Sequence, residues 1–365
     1  MKILSISPYL KSPVFHPEPE GVADQSHRAV QAMANRGQEV FVLPWKTEKI
    51  WKARKYLTSE DYSFATALPT LYIPSLTDLS KSLLKSSLSK KMIGNPVEHI
   101  RRSVLGQFNG EEHFLKKAMN QAKPDIVHTH LAVGEMITAY RNGKYSAPVV
   151  QSTHGRSFKI TDKLYDYVIF PSNFHRRLAI NVAPELESVS EVIYPCPAAP
   201  FFMKHEFRKK KQLCFSDGKG WDRIIPELTE KLTAKREHPE VSVTFLSKTV
   251  HKRAKQMSES ALYILKAEEA YWPLRYAEAL CMGVPVIGPT DQVGEINDLL
   301  GITCGLEFSS DDLSAEVLSD SIQKVEEMGL LLPEYRRKLM DRARVCFSRK
   351  SFDDKHLRLY REMIS

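Results

Sequence analysis

Residues 268–295 read EEAYWPLRYAEALCMGVPVIGPTDQVGE, and this stretch decides the fold. The acids Glu268 and Glu269 sit in a turn that closes a strand. A helix is expected over about 273–282, stopped by Gly283, followed by the buried strand PVIGP and a second glycine turn at Gly294. Strand, acidic turn, helix, glycine and strand make a βαβ unit, whose strands run parallel. Such a turn places helix N-terminal amides at the carboxyl edge of the sheet, where they can hold a diphosphate. Carboxylates there accept hydrogen bonds from sugar or ribose hydroxyls. The plainer reading is a βαβ unit with solvent-facing acids.

The same alternation extends in both directions. Downstream come helices rich in Leu and Arg, the last over about 351–364. Upstream lie ALYILKA, a short helix, VSVTFLS, a helix over about 222–236, and KQLCFSDGKG, a strand entering a glycine-rich turn. The N-terminal half opens with an apolar strand over residues 1–8 and a proline-rich loop that excludes regular structure. A helix from about Asp24 to Arg36, stopped by Gly37, and the strand EVFVLPW complete the first unit of a doubly wound sheet. An inserted helical segment is expected over about 50–110. A helix over 111–122 and the strands PDIVHTH, PVVQSTHG, YDYVIFPS and SEVIYP follow. The expected class is therefore α/β: two Rossmann-like domains over 1–198 and 199–350, joined at PCPAAP, with a terminal helix over 351–365.

Bulk properties agree with an enzyme of ordinary composition. The 365 residues suggest two domains, and 42% hydrophobic with 26% charged residues is typical of globular chains. No run approaches a membrane span, and MKILSISPYL lacks the features of a signal peptide, so cytoplasmic residence is expected. Cys196, Cys214, Cys281, Cys304 and Cys346 stand singly, without zinc or disulfide spacing. A net charge of +8 with a pI near 9.0 favours anionic partners such as nucleotide phosphates, DNA or acidic lipid. Lys81 to Arg102 holds six basic residues against one acidic, and Lys204 to Lys211 is a second basic run. Either is also compatible with a solvated face.

In Glu278-Ala279 and Gly283-Val284-Pro285-Val286 the chain resembles the family-4 glycosyltransferases of the GT-B fold, two Rossmann-like domains facing across a cleft. The resemblance implies retaining transfer of a sugar from a nucleotide-diphosphate donor, of the UDP type, with no cofactor and no metal. It gives Glu278 to the donor ribose. The first acid of the signature falls on Ala270, and the adjacent Glu269 is assigned the transferred sugar. Val293-Gly294-Glu295-Ile296 resembles the following glycine turn, which places Gly294 and Glu295 at the donor. Lys219-Gly220 resembles the diphosphate clamp, with Gly218 beside it; the partner arginine is absent and Arg223 is the nearest substitute. A lysine there neutralises the leaving diphosphate. Gly21 resembles the glycine loop near the donor phosphate, and His154 matches a catalytically important histidine, with His130 and Arg156 on the acceptor side.

His128 reads as a packing residue. His128 and His130 share a strand face like a metal pair, but no third ligand accompanies them. The second domain is short by one strand–helix repeat relative to the family, and SFDDKHLRLYREMIS resembles the family's terminal helix, which implies that 351–365 crosses back to the first domain. Two acceptor classes follow from the charge: a glycan or lipid-linked saccharide, with attachment at a membrane face through Leu83, Leu84 and Leu88, or DNA, with Trp45, Trp51, Tyr56 and Tyr62 stacking on an extruded base. The alternatives are a scaffold or binding subunit that has lost catalysis and a sugar-nucleotide epimerase.

Overall fold

The computed structural model describes residues 1–7, 22–44, 66–67, 110–130, 140, 143–153, 165–205, 212–216, 220–234, 242–247, 249–266 and 272–365. Its N-terminal sheet is built from β1 (Lys2–Ser7), β2 (Glu39–Pro44), β3 (Thr66–Ala67), β4 (Ile126–His130), β5 (Val149–Ser152), β6 (Tyr167–Phe170) and β7 (Ser190–Val192). All neighbours pair in parallel, in the order β3-β2-β1-β4-β5-β6-β7. Of the expected helical insertion over 50–110, only β3 and Gly110 fall within the described residues, and β3 adds an edge strand. The aromatic residues and the basic segment 81–102 lie outside them, as does most of the second basic run.

Alternation along β1 explains why this sheet is covered twice. Ile3 packs with Ala29, Val30 and Met33 of α1 (Val22–Asn35), whereas Leu4 and Ile6 pack with Leu115 and Ala118 of α2 (Gly110–Ala122) on the other face. A period of two sends successive side chains to opposite faces, and each needs its own helical cover. The helix α3 (Asn173–Val182) follows β6, with Ser172 as its N-cap.

The C-terminal sheet contains β8 (Gln212–Phe215), β9 (Ser242–Phe245), β10 (Leu262–Ile264), β11 (Val286–Pro289) and β12 (Gly305–Phe308), again parallel, in the order β12-β11-β10-β8-β9. Between these strands run α4 (Ile224–Ala234), α5 (Val250–Glu259), α6 (Trp272–Cys281) and α7 (Thr290–Leu300). Leu213, Phe215, Leu262 and Ile264 pack on one face; Cys214, Tyr263 and Leu265 pack on the other. Gly283 follows α6 at φ +63°, a left-handed position that favours glycine and turns the chain directly into β11. The helices α8 (Ala315–Glu327) and α9 (Pro333–Cys346) close this half. Among the described residues no helix is long and apolar enough to cross a membrane.

The connection between the sheets is packed rather than loose. Cys196 joins the core around Ile3, and Phe201 joins the core of the second sheet. Arg344 of α9 donates to the carbonyls of Cys281 (2.9 Å) and Met203 (2.8 Å), tying this segment to α6. The last helix, α10 (Arg349–Ile364), returns to the first domain, where Phe352, Leu359 and Tyr360 pack on α1 and β1.

That return carries a buried titrating group. His356 is 2% exposed, beside His128 and Tyr360, and its Nδ1 lies 2.9 Å from the Phe352 carbonyl oxygen. Burial, reinforced by the nearby Arg349 and Lys355 charges, pushes its imidazole from the usual 6.5 down to about 4. Between those values the unfolded chain binds the proton and the folded chain does not. Stability therefore falls as pH drops from about 6.5 towards 4, by about 3 kcal/mol from this residue. Urea titrations at pH 7 and 4.5 are expected to show a smaller loss for His356→Gln than for the unsubstituted chain. An equal loss in both would remove His356 as the cause.

Candidate functional site

In a doubly wound sheet, ligands bind outside the carboxyl ends of strands, where the strand order reverses. In the C-terminal sheet that point lies between β8 and β10, whose onward connections diverge, β8 to β9 on one side and β10 to β11 on the other. Ser216, just past β8, donates its backbone N–H to the Ile264 carbonyl at 3.0 Å, so the two strand exits are adjacent. Gly220 follows at φ +78°, and a Cβ built on it would lie 2.5 Å from Lys266 Nζ. The Lys266 ammonium stands 4.5 Å from the centroid of the Trp221 ring. Trp221 is completely buried and packs edge-on against Phe215. Neither the Ser216 hydroxyl nor the Trp221 indole N–H has a partner among the described residues, although both are buried. Each unsatisfied buried donor costs about 1–3 kcal/mol.

Several residues assigned from sequence fall outside the described set: Gly21, His154, Arg156, Gly218, Lys219 and Glu269. Arg223 lies in the turn leading into α4 and is exposed.

Glu278 was expected at the donor ribose. Its side chain is 1% exposed. Arg253 of α5, itself 2% exposed, grips it with Nε to Oε2 at 2.9 Å and Nη2 to Oε1 at 3.0 Å. Arg275, one turn earlier on α6, donates Nη1 to Oε2 at 2.8 Å. A buried carboxylate demands this, because an unpaired charge in a low-dielectric interior costs several kcal/mol. Arg253 is held in turn by the Ser247 carbonyl (3.2 Å) and the Phe201 ring.

The glycine turn expected at Gly294 is corrected: Gly294 lies inside α7, and a Cβ there would come within 2.8 Å of Glu307 Oε1. Glu295, also expected at the donor, reaches across to the other domain. Its Oε1 accepts from the Asn173 amide and its Oε2 from the Phe174 amide, both at 2.7 Å, and the Tyr194 hydroxyl donates to Oε1 at 2.5 Å. These are the first amides of α3, whose next orphan N–H, from His175, is taken by the Ser172 hydroxyl at 3.2 Å. The dipole of α3 favours a negative charge at this end. Burial and the Glu295 carboxylate both push the Tyr194 hydroxyl well above its usual range, so it remains a donor.

On the N-terminal sheet the order reverses between β1 and β4. His128 on β4 is a bonded packing residue, with Nδ1 2.5 Å from the Tyr360 hydroxyl and Nε2 2.8 Å from Ser152 Oγ. His130, expected to face an acceptor, is 1% exposed with its ring 4.1 Å from that of His128. It is enclosed by neighbouring structure instead of standing on an open surface. The sequence reading missed Arg253, Arg275, Tyr194 and Lys266. Only Lys266 had a local signal: a cation at the end of an apolar strand.

Comparison with solved structures places this geometry. A glycosyltransferase from Rickettsia africae superposes with a TM-score of 0.61 at 14% identity, covering 100% of this chain and 98% of its own. Sucrose-phosphate synthase from Thermosynechococcus elongatus gives 0.58 at 13%, over 100% and 99%. MurG from Acinetobacter baumannii gives 0.52 at 14%, over 98% and 100%. The fold is GT-B. No family model matches the chain, and no curated protein matches it in sequence. Within the GT-B frame, α3 and α7 each start at the carboxyl end of a strand, one in either domain, and Glu295 joins them.

Proposed function

We propose that the chain is a glycosyltransferase that moves a sugar from a nucleotide-diphosphate donor, of the UDP type, to an acceptor. The observation that carries this reading is the β8/β10 switch point. It combines a left-handed glycine, a lysine and two buried donors without partners among the described residues, at the place where a doubly wound sheet takes its ligand. The diphosphate lies at this edge, with the first turn of α6 beside it. Arg275, kept in place by Glu278, adds positive charge there as the leaving group departs. Lys219, Gly218 and Glu269 belong to the same edge by their place in the chain, and His154, His130 and Arg156 to the opposing domain.

The likeness to family-4 enzymes supports retention of anomeric configuration and metal-independent transfer, with a C-terminal domain shortened between β9 and β10. The +8 charge supports an anionic acceptor, either a lipid-linked glycan at a membrane face or DNA. A second reading, donor binding without transfer, is favoured by Glu278 and Glu295, whose carboxylates are engaged within the protein.

A thermal-shift panel of UDP-, GDP-, ADP- and dTDP-sugars tests the proposal. One of them is expected to stabilise the chain, by about 2.7 kcal/mol at a hundredfold excess over its Kd. Slow release of free nucleoside diphosphate from that donor then separates transfer from binding alone. No stabilisation by any donor would sink both readings.

A further inference from the structure

We infer that Lys266 is a diphosphate-binding residue, supplying the second positive charge in the donor site; this rests on the reading of the chain as a nucleotide-sugar-dependent transferase. Three observations converge on it. Lys266 leaves the sheet two residues past β10, at the switch point, where the paired exits of β8 and β10 bring it beside Ser216 and Gly220. The Trp221 ring 4.5 Å from its ammonium orients the side chain by cation–π attraction. The hydroxyl of Ser216 and the indole N–H of Trp221 are buried at the same edge without an acceptor among the described residues. An anion entering there gives both donors what they lack.

Gly220 completes the arrangement. Its φ of +78° is a left-handed conformation that favours glycine, and an added Cβ would come within 2.5 Å of Lys266 Nζ. The β8 loop reads FSDGKG and contains no arginine, so the positive charge missing from that segment comes from Lys266 at the adjacent strand exit. As an ammonium, Lys266 acts on phosphate as a movable point charge, able to follow the diphosphate as it leaves.

Calorimetric titration of the full chain with UDP, UMP and inorganic pyrophosphate tests the assignment. The unsubstituted chain is expected to bind UDP more tightly than UMP. Lys266→Met is expected to weaken UDP and pyrophosphate by about 10- to 100-fold while leaving UMP nearly unchanged. Lys266→Arg is expected to keep most of the affinity. The Tm of each variant, measured beside the titrations, separates loss of binding from loss of fold. Unchanged UDP affinity in Lys266→Met, with or without a lower Tm, overturns the assignment: the lysine then serves the fold. Absence of UDP and pyrophosphate binding by the unsubstituted chain counts instead against the transferase reading.

Discussion

Glu278→Gln is expected to destabilise the C-terminal half by about 3–5 kcal/mol, the range for removing one partner of a buried ion pair. The substitution keeps the volume and removes the charge. Arg253, 2% exposed, cannot swing out to water and would remain cationic beside a neutral amide. Arg275 is 17% exposed and turns outward more easily, so Arg275→Ala is expected to cost far less. A double replacement, Arg253→Met with Glu278→Leu, is expected to recover most of the loss, because a buried pair exchanged for apolar side chains of similar size is often neutral. Urea unfolding of the four proteins measures this directly. If Glu278→Gln unfolds within 1 kcal/mol of the unsubstituted chain, on the order of a surface change, the carboxylate is not held as described.

Glu295→Ala is expected to cost about 2–4 kcal/mol, since it strips two charge-assisted bonds from the first turn of α3. It also leaves the Tyr194 hydroxyl short of its acceptor. The effect reaches beyond one helix, because Glu295 belongs to α7 in the second domain and the amides belong to the first. Proteolysis at the connecting segment around 193–205 is therefore expected to accelerate along with the loss of stability. Glu295→Gln retains one acceptor oxygen and is expected to fall between the two. A variant with normal thermal stability and unchanged cleavage would show that the clasp does not couple the domains.

Both predictions concern residues whose positions, but not whose partners, were legible from the amino-acid sequence. The stretch 268–295 announced a βαβ unit, and a helix over 272–281, Gly283 and β11 stand where the apolar spacing placed them. The same holds for α1, α2, α4 and α10, whose ends agree with the expectation to within about two residues, the ordinary uncertainty of helix termini. Glu278 and Glu295 were assigned to the donor by resemblance to family-4 enzymes. Local pattern carries no information about a guanidinium on another helix, and so the Arg253 partner of Glu278 was not legible.

What the sequence alone determined is the alternation of strand and helix and the division into two parallel sheets. These follow from side-chain periodicity, which each segment expresses through its own neighbours in the chain. Tertiary structure alone decided the strand order of the second sheet, and hence the switch point at Ser216, Gly220 and Lys266. It also decided that Arg253 meets Glu278 across 25 residues and that Glu295 caps a helix 122 residues away. Charges buried by folding must find partners wherever packing brings them, and that choice is made in space, between segments remote in the chain.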